Sequence, residues 1–175
     1  MAMEAHGGLV IRLRPATADD RERLWHWRND PATREASLNT APVPFDAHAL
    51  WFERQLGTPS VALFIIELGA ERVPCGQLRL VHLDGDDALV SIGVAAECRG
   101  RGVATAALQQ VMASPPRPPW AQRLIAVIKL DNAPSRTAFE RAGFRGPSQD
   151  PPASAGRVPA DAGVWICRPN GASDT

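Results

Sequence analysis

The chain contains no tyrosine, and Lys129 is its one lysine against 18 arginines. Arginine in that proportion suits forked contacts to carboxylate or phosphate, or reflects codon usage. There is no surplus of either charge: 19 basic and 19 acidic side chains give a formal net charge of zero, without the broad positive field of a nucleic-acid binder. Cys75, Cys98 and Cys167 are three and widely spaced, with no CxxC pair or His-rich cluster beside them. That pattern argues against a disulfide framework and against a zinc site, and no metal is expected. No apolar run is long enough to span a membrane, and Met1 to Gly8 lacks the basic and then apolar pattern of a secretory leader, so a soluble, cytoplasmic protein is expected. What is present is 175 residues, 45% of them hydrophobic, enough for one domain with its own core. That domain is placed at 9–168, between a flexible start at 1–8 and a flexible tail at 169–175.

Leu9 to Arg14 alternates apolar and polar residues as a half-buried strand does, and Pro15 ends it. Thr17, Asp19 and Asp20 offer oxygens to the start of a helix that runs to about Asn29 and is closed by Pro31. The stretch from Ala32 to Pro44 has no clear period. Phe45-Asp46 then reads as the staple and N-cap of a second helix that stops at Gly57. Three strands follow as a meander, at Ser60 to Leu68, Gly76 to Leu83 and Ala88 to Val94, separated by turn-forming residues. A third helix is expected over Val103 to Met112, a buried strand over Leu124 to Ile128, a helix from Asn132 to Ala142 stopped by Gly143, and a last strand at Val164 to Cys167. Gly146 to Ala162, with four prolines, reads as a long loop.

The chemistry concentrates where Ser91-Ile92-Gly93-Val94 leads into Arg99-Gly100-Arg101-Gly102-Val103-Ala104, a strand delivering a glycine-spaced loop into a helix. Amides at a helix start have no intrahelical acceptor, and with the positive end of the helix dipole they can hold a diphosphate. A Walker loop is absent, because no GxxxxGK[ST] occurs. A dinucleotide fingerprint also fails, since Thr105 stands where its third small residue belongs and the loop follows an antiparallel meander.

The R-x-x-G-x-A pattern at Arg99 to Ala104 resembles the acyl-CoA loop of the GNAT N-acetyltransferase superfamily. Asn132, Ser135, Phe139, Gly143 and Phe144 match that family's N-x-x-S-x-x-x-[FY]-x-x-x-G-F segment in the expected order. The resemblance implies an α/β (α+β) fold: a central mixed, mostly antiparallel sheet with a splayed strand pair, flanked by helices on both faces. It implies acetyl-CoA as cofactor, with pantetheine between the strands at Ala88 to Val94 and Leu124 to Ile128 and backbone contacts at Ile92, Gly93 and Val94. The pyrophosphate would lie on Arg99, Gly100, Arg101, Gly102, Val103 and Ala104, and the arm near Asn132, Ser135 and Phe139. It further implies direct attack of a neutral amine on the thioester, with a backbone amide near Val94 stabilising the oxyanion.

For the acceptor, W-R-N-D-P at Trp27 to Pro31 with His48 and Trp51 resembles a subgroup that acetylates nucleotide-linked amino sugars, as in the pseudaminic acid pathway. On that reading Trp27, Arg28, Asn29, His48 and Trp51 bind the acceptor, Arg28 holding a diphosphate and an indole facing a ring. The same aromatic spacing also suits core packing. The ribosomal-protein alanine N-acetyltransferases share the early I-x-L-R-P and the overall spacing, so a protein N-terminus is the alternative acceptor. A non-catalytic acetyl-CoA sensor is a third reading, because proton-handling groups are scarce. Phe139 stands where many relatives carry the tyrosine that protonates the leaving thiolate, and Leu89, Val90 and Ser91 stand where relatives often carry a glutamate. Ser91 and Ser135 are the remaining candidates. The expected assembly is a monomer or homodimer.

Overall fold

The computed structural model describes residues 9–113 and 116–169. Of the flexible ends expected at 1–8 and 169–175, residues 1–8 and 170–175 lie outside the described residues. Six strands form one sheet in sequential order: β1 (Ile11–Pro15), β2 (Val61–Leu68), β3 (Val73–His82), β4 (Asp87–Val94), β5 (Arg123–Lys129) and β6 (Ala162–Cys167). All neighbours are antiparallel except β4 and β5. The helices are α1 (Arg21–Asn29), α2 (Pro31–Ala36), α3 (Phe45–Gly57), α4 (Val103–Ala113) and α5 (Ala133–Arg141).

Period-two alternation sends the strands' residues to two different layers. Leu78, Leu80, Val90 and Phe64 face the larger core with Val103, Ala107, Leu108 and Val111 of α4 and Phe139 of α5. Leu63 and Ile65 face the other way, against Leu24 of α1 and Phe52 of α3, with Trp27 and Trp51 packed on that cluster. Across the second face the cross-strand rows read Leu63, Arg79, Ser91 and then Ile65, Gln77, Gly93. Arg79 and Gln77 therefore lie on the side covered by the early helices. The start of α1 is anchored by Asp20, which is 1% exposed and accepts from Arg14 at 2.7 and 2.8 Å, from Arg23 at 2.7 Å and from the Thr17 amide at 2.9 Å.

β4 and β5 pair only at Asp87 with Arg123, Ala88 with Leu124 and Leu89 with Ile125. Beyond that point the strands part, which is the expected splay. Its closed end is clamped by Arg123, whose Nε and Nη2 donate to the two oxygens of Asp87 at 2.5 and 2.6 Å. Ser154, from the loop before β6, donates to the same carboxylate.

Two expectations are corrected. Cys75 and Cys98 form a disulfide. They are distant in sequence, but the register sets Gly76 beside Val94, and the Ala95 amide donates to the Cys75 carbonyl, which brings the two side chains together. Pro31 does more than close α1: Asp30 accepts from the Thr33 amide as an N-cap, Pro31 takes the first turn, and α2 follows directly. The loop from 146 onward contains one short 3-10 turn, Ala153–Ala155, before β6.

Candidate active site

The loop from Arg99 into α4 has the geometry of an anion cradle. Gly100 and Gly102 take φ of +72° and +78°, a region other residues rarely enter, and no atom lies within 4 Å of where a Cβ would stand on either. Among the described residues, the amides of Gly100 through Thr105 find no hydrogen-bond acceptor, while the Ala106 amide begins the helical ladder on Gly102. Open backbone, free donors and the start of α4 together fit a diphosphate. Val103 places its side chain in the core and offers its amide alone. Arg101 is exposed and borders a cavity of about 520 Å³ beside Cys75 and Cys98. Ile92 and Val94 pack on the larger core from the end of β4.

Arg99 is engaged elsewhere. Its Nη2 donates to Asp30 Oδ1 at 2.6 Å and to Thr33 Oγ1 at 2.8 Å, and its Nε donates to the Val94 carbonyl at 3.1 Å. That guanidinium holds the Asp30 carboxyl below the usual range. On the far side of the splay, Asn132 caps α5 by accepting from the Ser135 amide at 3.1 Å, and its Nδ2 reaches the Ala36 carbonyl at 3.4 Å. Phe139 is 3% exposed and meets Phe144 edge to face, so it fills the core below the splay and brings no proton. Ser135 stands in the first turn of α5, and Ser91 on the opposite face of the sheet beside Arg79.

The structure divides the acceptor residues inferred from sequence. Asn29 is occupied as a tether: its amide donates to the Val43 and Trp25 carbonyls and its oxygen accepts from the Val43 amide at 2.8 Å. Trp27 borders a groove of about 440 Å³ with Asp19, Glu22 and Glu97. The remaining three come together. His48 is 3% exposed, lies 5.2 Å from the Trp51 ring centre, and has no partner for Nδ1; burial and then the nearby Arg28 push its pKa down. Arg28 donates from Nη2 to the Asn39 carbonyl at 2.8 Å, and its Nη1 is buried without a partner.

Arg79 joins this group and was not singled out from the sequence. Its guanidinium lies 5.3 Å from the Trp51 ring centre and donates to Gln55 Oε1 at 3.0 Å. Burial lowers its pKa. Next to it on the strand, Gln77 Oε1 is buried with no hydrogen-bond partner. The strand's alternation exposed the signal, a Gln and an Arg between buried leucines, but only α3 packing over them makes the face interior. His48 and Arg79 thus flank the Trp51 indole, with Arg28 close enough to act on His48, and among the described residues neither arginine forms an ion pair. Uncompensated cations beside apolar surface are costly unless a ligand supplies the opposite charge.

Among the described residues no cluster of His, Cys, Asp and Glu could hold a metal ion, and no helix is long and apolar enough to cross a membrane. Residues 11–145 match the family model described as an acetyltransferase (GNAT) domain. No curated protein sequence matches the chain. Among solved structures, it is similar to a spermidine N-acetyltransferase from Vibrio cholerae in complex with CoA and spermine. That match has a TM-score of 0.72 at 16% identity, covering 91% of this chain and 95% of that one. An aminoglycoside acetyltransferase in complex with coenzyme A matches with a TM-score of 0.69 at 16% identity, over 91% and 95% of the two chains. A GNAT-family acetyltransferase from Bacillus anthracis matches with a TM-score of 0.73 at 16% identity, over 92% and 96%.

Proposed function

Because the chain belongs to the GNAT acetyltransferase family and is an acetyl-CoA-dependent N-acetyltransferase, we propose that its acceptor is the primary amine of a nucleotide-linked amino sugar. The observation that carries this reading is the group of Arg28, His48, Trp51 and Arg79 on the acceptor face. Two guanidinium groups that form no ion pair among the described residues offer charge to a diphosphate, and the Trp51 ring offers a face to a base or sugar. Acetyl-CoA would supply the activated acyl group, and the amides of residues 100–105 would hold its pyrophosphate.

The amine must be neutral to attack. Cations on the acceptor face lower the pKa of an amine brought beside them, which partly replaces the missing carboxylate base. Sugar amines begin lower than lysine, so this site suits them better. Ser91, the register partner of Arg79, is our candidate for the hydroxyl that relays the proton toward water. Thiolate leaves without an acid where Phe139 stands, since it tolerates the negative charge.

A second reading follows from the groove beside Trp27, where the carboxylates of Asp19, Glu22 and Glu97 outnumber Arg23 and His26 and suit a polycationic amine such as the spermine in one solved neighbour. Thiol release from acetyl-CoA, followed with UDP-amino sugars, peptide N-termini and polyamines, separates these readings. The sugar nucleotides should be turned over with the highest kcat/KM. Preference for polyamines would transfer the site to the acidic groove, preference for peptides would favour a protein N-terminus, and no turnover with tight CoA binding would make the chain a sensor. Calorimetry with Gly102→Glu tests the cradle against Gly102→Asn, which tolerates the same positive φ. The carboxylate should weaken CoA at least tenfold relative to Asn; equal affinities would refute the placement.

A further inference from the structure

α2 lies between the two strands that part. Its N-terminal end is fastened on the β4 side, where Arg99 donates to Asp30 and Thr33. Its C-terminal end is fastened on the β5 side, where Lys129 Nζ donates to the Glu35 carbonyl at 3.0 Å and Asn132 Nδ2 to the Ala36 carbonyl. This short helix therefore spans the open end of the splay. Two of its three fasteners, Arg99 and Asn132, belong to the two segments that would meet the cofactor. Arg99 Nη2 and Asn132 Nδ2 serve α2, and a cofactor that draws either group onto itself turns it away from those acceptors.

We infer that α2 is a strap latched across the splay by Arg99 and Asn132, and that coenzyme A releases it by taking over those side chains. The inference rests on the cofactor placement proposed above. Asp30 is then a positioning residue: it holds the Arg99 fork away from the cradle, and α1, which carries Trp27 and Arg28, ends next to it. Release frees the acceptor face once the donor is bound, so the two substrate sites are coupled through one ion pair. The side chains of Arg99 and Asp30 are 36% and 27% exposed, so the latch is weak enough for a ligand to open.

Asp30→Asn tests the latch, because Asn remains a good N-cap for Thr33 but no longer holds Arg99 by charge. Breaking the latch removes a state that excludes the cofactor, so calorimetry should show CoA binding about two- to fivefold tighter than to the wild type. A purely structural role for Asp30 gives unchanged or weaker binding instead. Hydrogen exchange supplies a readout without turnover: amides across 33–37, bonded to Asp30 and Arg34, should exchange faster when CoA saturates the wild-type protein. In Asp30→Asn they should already be fast without CoA. Thr33→Val, which removes the other acceptor, should move both readouts in the same direction by less. Unchanged or weaker CoA affinity in Asp30→Asn, or exchange across 33–37 that stays level or slows with CoA, overturns the strap. Absence of any CoA binding heat in the wild type overturns the cofactor placement itself, which is a separate failure.

Discussion

Replacing Asp87 by Asn removes one charge from the closed end of the splay and leaves the shape of the side chain almost intact. Asp87 is 5% exposed and takes both forked bonds from Arg123, its register partner on β5, and a third from Ser154. A buried pair broken from one side commonly loses about 3–5 kcal/mol. Arg123 keeps 28% of its side chain in solvent and Asn can still accept one bond, so about 2 kcal/mol is expected here. For a chain of this length that is a fall in Tm of about 4–8 °C. The pH dependence has a definite sign. Hydrogen bonding from Arg123 holds the Asp87 carboxyl below its ordinary value against the opposing effect of burial, with Ser154 adding to the lowering. A carboxyl depressed in the folded state stabilises it above the unfolded pKa of about 4, and that contribution is lost as the pH falls through the folded value. Urea denaturation of both proteins at pH 7, 5 and 3 should therefore show a gap that is full at pH 7, nearly full at pH 5 and shrinking at pH 3. A gap under about 0.5 kcal/mol at pH 7, or one that widens in acid, would refute the assignment of this clamp.

Gly76→Ala should be unexpectedly harmful for a one-carbon change. Its Cβ would stand 2.3 Å from the Gly93 carbonyl oxygen, a backbone atom of the strand end proposed to meet the cofactor. Overpacking of that kind costs about 1–3 kcal/mol, and calorimetry should show weaker CoA binding together with the lost stability; a variant matching the wild type in both would sink this account. Arg79→Met keeps an unbranched side chain of similar reach but removes the cation that lies over the Trp51 ring. It should raise the KM for a sugar-nucleotide acceptor about tenfold, the effect of one charge-assisted contact, and leave the acetyl-CoA KM unchanged. An equal rise in both constants would show a structural role instead.

The features legible in the sequence are the ones carried by neighbours along the chain. The β-rich runs at Val61–Leu68 and Asp87–Val94, the glycines of the loop before α4, and the opening of α5 at Asn132 each depend on residues a few positions apart, and each stands within a residue or so of where it was expected. The six-residue α2 was missed because so short a helix shows no period, and Pro31 reads equally well as a stop. The acceptor residues were only partly legible. Trp51, His48 and Arg28 do gather, but Asn29 is drawn off to tether Val43, and Trp27 turns to another groove.

Local spacing thus decided the strands, the helices longer than two turns, the glycine-spaced loop before α4 and the order in which they come, because backbone periodicity and capping act within a turn or two of chain. Folding decided which distant groups share a location: Cys75 with Cys98, Arg79 with Trp51, Asp87 with Arg123 and Ser154, and Arg99 with Asp30. Those pairings depend on strand register and on which helix covers which face, and both are set by burial of the whole apolar surface at once.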